Sequence, residues 1–228
     1  MMRLLTLSLV ATAGFSIAAI AAPEHERLRG TVSAVSASEL TVHTATGDVS
    51  MSLGEDTKYL TAARSNLNQI ATDGYIGVAT KDVGGKPVAL DVLIFPPAMK
   101  GAAEGHFDWD KVRDTTVAGN LHTASSMTNG SVAAVAQGGN VATTNSAMTN
   151  GSVAAASGQG GARQLTVTYK GGEQMIVVPA TAPVVTLQFG GVSDIKPGDA
   201  VFVNAVADGG KTAAGLVIVG AKGVLPPI

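Results

Sequence analysis

One constant offset constrains this chain more than any single motif. Moved by 125 positions, residues 40–95 fall on residues 165–220 without a gap. Leu40-Thr41-Val42 meets Leu165-Thr166-Val167, and Met51 and Leu53 meet Ile176 and Val178. Leu67 and Ile70 meet Val192 and Ile195, and Ile76 and Val78 meet Val201 and Val203. Gly84-Gly85-Lys86 meets Gly209-Gly210-Lys211, and Val92-Leu93-Ile94 meets Val217-Ile218-Val219. Any one match is weak, but a fixed register across four strands, a turn and a helical segment reads as an internal duplication. Two copies are too few for a solenoid.

Within each copy the hydrophobic period is two. Thr31-Val32-Ser33-Ala34-Val35, Leu40-Thr41-Val42-His43-Thr44 and Val49-Ser50-Met51-Ser52-Leu53 alternate, as half-buried strands do. Thr46-Gly47-Asp48 turns the second strand into the third, and Gly84-Gly85 joins the last two as a hairpin. Residues 57–60 form a short strand, and Ser65 caps a helical turn that puts Leu67 and Ile70 on one face. Pro96-Pro97 ends the copy, because neither residue donates to a ladder. About five strands with a short helical turn before the last hairpin is the element order of a small Greek-key barrel of the OB kind. The fold class is therefore all-β, with two tandem OB-like five-stranded barrels. Closure of each barrel, against a flat sandwich, stays open at this level.

The chain begins with an export signal. Arg3 precedes an apolar run over residues 4–20, and Ala19-Ile20-Ala21 supplies the small residues of a cleavage site before Ala22. The mature chain of 207 residues carries a formal charge of −3 once Arg3 is lost from a whole-chain charge of −2. That balance argues against nucleic acid and against an anionic membrane as partner. With no Cys, disulfides, thiolate metal sites and a lipid anchor are excluded. No later stretch reaches the length of a transmembrane helix. The expected location is the periplasm, with secretion to the medium as the alternative.

Between the copies lie two unusual segments. Residues 95–110, FPPAMKGAAEGHFDWD, hold the single Trp, Trp109, together with His106 and the carboxylates Glu104, Asp108 and Asp110. His106 and the alternating carboxylates are candidate ligands for one divalent cation. Against this, Phe107 and Trp109 share the opposite face of the same alternation and read as a clamp between the two domains. Further on, Met127-Thr128-Asn129-Gly130-Ser131-Val132-Ala133-Ala134 recurs letter for letter at residues 148–155. Both copies resemble the first strand, Gly30-Thr31-Val32-Ser33-Ala34-Val35, and the later one, next to Gln164, is expected to open the second domain. Residues 115–161 are dominated by Ala, Thr, Asn, Gly and Ser and read as flexible. The plan is a signal peptide at 1–21, a mobile arm at 22–29, a first domain at 30–95, a connector at 96–150, a second domain at 151–222 and a tail at 223–228.

Several short motifs occur in a familiar order. Arg29-Gly30-Thr31-Val32 is followed by Phe95-Pro96, Ala98-Met99-Lys100-Gly101, Glu104-Gly105-His106 and Trp109-Asp110. Ser126-Met127-Thr128-Asn129, Asp194-Ile195-Lys196-Pro197-Gly198-Asp199 and Gly223-Val224-Leu225-Pro226-Pro227 come after. In this the chain resembles exported bacterial proteins with paired domains of the type called domain of unknown function 5666, which implies an OB-like fold. Such proteins are often labelled permease components of metal ABC transporters. This chain does not support that label, since it has no membrane span after its signal. The resemblance implies no activity, ligand or catalytic residue.

Catalytic signatures are missing: no P-loop spacing, no Gly-x-Ser-x-Gly and no His-Glu-x-x-His. No cofactor motif stands in the chain. The expected function is a periplasmic, non-catalytic binding or scaffold module for an envelope protein, a glycan or a small ligand. The alternative is a metal-handling accessory protein using Glu104, His106, Asp108 and Asp110. A hydrolase is the third reading.

Overall fold

The computed structural model describes residues 24–137 and 161–226. It is almost wholly β. The strands are β1 (Glu24–Val35), β2 (Glu39–Thr44), β3 (Gly47–Ser52), β4 (Lys58–Arg64), β5 (Tyr75–Val83), β6 (Lys86–Ile94), β7 (Gly105–Arg113), β8 (His122–Gln137), β9 (Arg163–Tyr169), β10 (Gly172–Val178), β11 (Val184–Phe189), β12 (Ala200–Asp208) and β13 (Lys211–Gly220). All belong to one 13-stranded sheet. The 125-residue offset holds throughout: β5 maps onto β12, β6 onto β13, and the 3₁₀ turn Leu67–Gln69 onto Val192–Asp194. Asn66, not Ser65, caps the first turn, through its side-chain oxygen and the Asn68 N–H. The short strand expected at 57–60 runs on to Arg64 as β4. The glycine pairs at both hairpins carry the positive φ that such tight turns require, +62° and +80° at Gly84 and Gly85 and +55° and +77° at Gly209 and Gly210.

The repeats do not fold side by side. β1, β2 and β3 pair in order, but the cycle is completed by β12 and β13 of the other repeat. β8, β9 and β10 are likewise completed by β5 and β6. Each cycle closes at one residue pair, Ser52 with Ala213 and Val177 with Val88. Those closures are images of one another under the offset. Each copy thus lends its last hairpin to the other. The arrangement expected from sequence, one unit from 30–95 and another from 151–222, is replaced by an exchange of hairpins. The copies are similar, so a borrowed hairpin presents the same side chains as the native one would, and alternation alone cannot tell the two pairings apart.

β4 and β11 join the two cycles. They pair antiparallel about Ala62 and Leu187, which are themselves equivalent under the offset, so a pseudo-twofold axis passes between them. Three apolar layers result. Val32, Leu40, Val42, Met51, Val203 and Val217 fill the first cycle, capped by Ile195. Ile76, Val78, Val92, Val132, Leu165 and Val167 fill the second, capped by Ile70. Leu60, Ala62, Leu93, Leu187, Phe202 and Ile218 form a third cluster between them.

Three further expectations need correcting. Residues 24–29, expected to be a mobile arm, are paired strand: Glu24 to Arg29 run antiparallel to Ala207 to Phe202. The first strand of the second cycle is the earlier Gly-Ser-Val-Ala-Ala copy, because Ser131, Val132, Ala134 and Val135 pair with Thr168, Val167, Thr166 and Leu165. This repeats the pairing of Thr31, Val32, Ala34 and Val35 with His43, Val42, Thr41 and Leu40, including the bulge. Gly30 and Gly130 lie inside these strands, just before the pairing with β2 or β9 begins, and are glycine for a steric reason. A Cβ there would overlap the carbonyl oxygen of His43 or of Thr168. The later copy, at 151–155, lies outside the described residues. Much of the segment read as flexible is the long strand β8, whose residues Ser125, Thr128, Asn129 and Gly130 are buried.

Candidate functional site

Among the described residues β7 has no counterpart in the other repeat. It lies along the first half of β8, from Gly105 opposite Asn129 to Arg113 opposite His122. The alternation read from sequence holds over Gly105 to Trp109 and then breaks, since Trp109 faces Ser125 but Val112 faces Thr123. This bulge puts one extra residue into the strand and re-aims the side chains beyond it. Trp109 and Val112 both turn inward, onto Ala79, Leu90 and Met127.

The candidate metal ligands are spread along the strand. His106 bonds through Nδ1 to the Thr128 hydroxyl at 2.9 Å and stacks on Tyr169 at 6.1 Å between ring centroids. Glu104 and Asp108 are exposed. Asp110 is held by two guanidinium groups of β1, with Arg27 Nη2 at 2.7 Å and Arg29 Nη1 at 2.8 Å. The Arg27 bonds, with those of Arg29, keep its carboxyl below the usual range despite partial burial. Among the described residues no three His, Asp or Glu side chains stand close enough to hold a metal ion.

The two aromatic residues of β7 differ. Trp109 is half-buried, touching both the central cluster and the patch under β7, and the Arg27 guanidinium lies over its ring at 4.1 Å. Phe107 is 37% exposed and meets Trp109 at a tilt. Trp109 and Asp110 therefore both engage β1, in the other strand cycle. β7 is fastened at its far end too. Lys81 reaches Asp114 at 2.7 Å, with both side chains nearly buried. Burial opposes ionisation of Asp114, but bonds from Lys81 and Thr116 outweigh it and hold its carboxyl below the usual range.

Beside this strand lies a groove of about 800 Å³. It is lined by Arg29 of β1, Arg64 at the end of β4, Asp91 of β6, Lys111 and Arg113 of β7, His122 of β8 and Arg163 of β9. Leu67, Val112, Ala182, Val184 and Val185 give it aliphatic walls, and residues 223–226 pass along it. Both repeats and the added strand thus contribute to one concavity. The His122 ring already meets the Asn120 carbonyl through Nδ1 at 3.2 Å. The Thr115 hydroxyl donates to the Leu90 carbonyl.

Asp91 is the unusual member. Only 6% of it is exposed, and its Oδ1 has no hydrogen-bond partner among the described residues. Burial pushes its carboxyl up to about 7, although a bond from the Ala79 backbone and the charge of Arg29 pull the other way.

Sequence reasoning places the candidate site on β7 and misses the groove. Arg64, Lys111, Arg113 and Arg163 are ordinary surface cations in sequence, and they converge only through strand exchange and the bulge. Asp91 does leave a signal. It interrupts the apolar run Val88-Ala89-Leu90-Asp91-Val92-Leu93-Ile94, and the offset sets it opposite Leu216. Among the described residues no helix is long and apolar enough to cross a membrane, which leaves strand-built spans unaddressed. Comparison with protein-family models, with curated proteins and with solved structures finds no match.

Proposed function

We propose that this chain is an exported, non-catalytic binding module built from two OB-like barrels with exchanged hairpins, and that its ligand occupies the groove beside β7. The groove carries the proposal. Its volume of about 800 Å³ falls within the range of small-ligand sites. Mixed aliphatic walls and a few converging polar groups are the usual make-up of such sites. Strands rather than loops position most of its polar residues, so it is preformed and needs little ordering on binding. The non-catalytic reading rests on what the polar groups do. The Thr115 hydroxyl donates to the Leu90 carbonyl and is not turned toward a base that could activate it as a nucleophile. Export rests on the leader, with processing after Ala21.

Native mass spectrometry of the full chain expressed with its leader and recovered from the envelope tests this. The expected mass begins at Ala22, with a fraction of molecules carrying a small-molecule adduct. Ala182→Trp, which fills the groove, removes the adduct. A bare mass for wild type, with no compound retained from envelope extract in equilibrium dialysis, overturns the binding reading. An unprocessed mass overturns export.

A further inference from the structure

We propose that the groove selects a compact multivalent anion, one with two or more phosphate or carboxylate groups on a saturated frame. This rests on the groove being the binding site. Charge placement is the first support. Arg64, Lys111, Arg113 and Arg163 line the groove, and among the described residues none of the four makes an ion pair. Arg113 donates only a long bond, 3.4 Å, to the Gly119 carbonyl, and Arg163 donates to the Asn68 side-chain oxygen at 2.8 Å. Such bonds leave the positive charges uncompensated. The chain as a whole is slightly acidic, at −2, so the concentration of cations is local. Four like charges around one concavity repel one another, and a ligand bearing a single negative charge compensates only part of that repulsion. Partial enclosure strengthens each contact over its value in open water.

The walls set the second limit. Among the described residues lining the groove there is no Phe, Tyr or Trp. A nucleobase or other flat ring would find no stacking partner, so single-stranded nucleic acid is disfavoured despite the OB-like strand order. Val112, Ala182, Val184 and Val185 instead offer aliphatic contact to a saturated carbon frame. Asp91, unpartnered at Oδ1 and almost wholly buried, adds the third observation. Its repeat counterpart is Leu216, which packs in the apolar cluster between the cycles. The fold accepts an aliphatic side chain there, so a buried carboxylate among these cations is a feature of the groove rather than of the scaffold.

Isothermal titration calorimetry of the mature chain at low ionic strength tests this with two probes, inorganic tripolyphosphate and propane-1,2,3-tricarboxylate. At least one binds at one to one, and whichever binds more tightly distinguishes phosphate from carboxylate chemistry. Acetate gives no heat. The double variant Lys111→Gln/Arg113→Gln weakens binding at least tenfold, while Lys58→Gln, outside the groove, leaves it unchanged. Both groove positions are exposed, and circular dichroism verifies that the double variant folds. Absence of binding by both probes overturns the inference, as does binding that the double variant does not weaken. A short single-stranded DNA that binds where both small anions fail reassigns the groove to nucleic acid. The failure modes separate: an uncharged adduct in the native spectrum that Ala182→Trp removes keeps the groove as a binding site and rejects the anion.

Discussion

The cycle of β1, β2, β3, β13 and β12 and the cycle of β8, β9, β10, β6 and β5 share register, bulges and core positions. The bulge between Asn204 and Ala205 repeats that between Ala79 and Thr80. Leu216 pairs with Asn204 in the first, and Asp91 pairs with Ala79 at the same place in the second. Only the second is flanked by β7, and most of the groove's cations stand beside it. The shared features are those that closing the cycles and filling their cores demand. The differences are an added strand, a buried carboxyl group and the four cations Arg64, Lys111, Arg113 and Arg163, which have no acidic partner among the described residues; the first cycle needs none of these in order to form. That separation of scaffold from addition is why the groove, rather than either core, carries the functional reading.

The sharpest way to break the equivalence is at the glycine inside the first strand of each cycle, Gly30 in β1 and Gly130 in β8. Gly130→Val drives a side chain into the Thr168 carbonyl, and Gly30→Val does the same at His43. Backbone on the far side cannot move without parting β8 from β9 or β1 from β2. Each substitution is expected to cost more than the roughly 1–3 kcal/mol of ordinary overpacking, read as a large drop in the urea midpoint. Gly151→Val, in the later copy, is expected to leave the midpoint unchanged. A destabilised Gly151→Val beside an unaffected Gly130→Val would mean that the later copy, and not the earlier, pairs with β9.

That contest between two copies shows how far the sequence can be read. The offset locates the strands, both hairpin turns and the helical turns, because alternation and glycine pairs are local signals. Which copy opens the second cycle is decided elsewhere. Val132 and Val135 present the same spacing as Val32 and Val35, whereas the later copy has Ala156 where Val135 stands in the earlier one. Proximity to Gln164 favours the later copy, yet that missing valine is the stronger signal. The exchange of hairpins is illegible for a deeper reason, since Val88 meets Val177 under the same local pattern that would set Ser52 beside it. On β7, Trp109 and Phe107 are legible as an aromatic pair. The bulge that turns Lys111 and Arg113 toward the groove has no glycine or proline to announce it.

Asp91 offers a smaller but more diagnostic perturbation. Replacing it by the Leu found at the equivalent position is expected to stabilise the fold at pH 8 by about 3 kcal/mol, the order of a shift of a few pKa units and of exchanging a buried charge for a hydrocarbon. The sign comes from linkage. The folded-state value of about 7 lies above that of an unfolded aspartate. Between roughly pH 4 and 7 the native chain keeps a proton that the unfolded chain has released, so wild type loses stability as pH rises through this window. Above about pH 7 the loss is complete. Asp91→Leu escapes it, so the gap between variant and wild type widens from pH 5 to pH 8 in chemical denaturation. A gap independent of pH would show that Asp91 ionises normally, and with it would go the difference between the two cycles at this position.

The mildest of the three effects tests whether β7 fastens one cycle to the other or merely lies against the second. Trp109 fills space in the central cluster and beneath β7, and Arg27 of the first cycle covers its ring. Trp109→Ala is expected to cost about 2 kcal/mol, below the ~3–5 kcal/mol of a fully buried Trp because the ring is only half covered and its Nε1 has no partner among the described residues. Phe107→Ala, at a more exposed ring, is expected to cost well under 1 kcal/mol. The location of the damage matters more than its size. A fastening role predicts that amide exchange quickens in residues 24–29 of β1 as well as in β7, because Asp110 and the covering Arg27 lose their support together. Faster exchange confined to β7 and the facing half of β8 would make the strand a cover for the second cycle alone. In that case the contacts to Arg27 and Arg29 would be exposed surface pairs of little consequence.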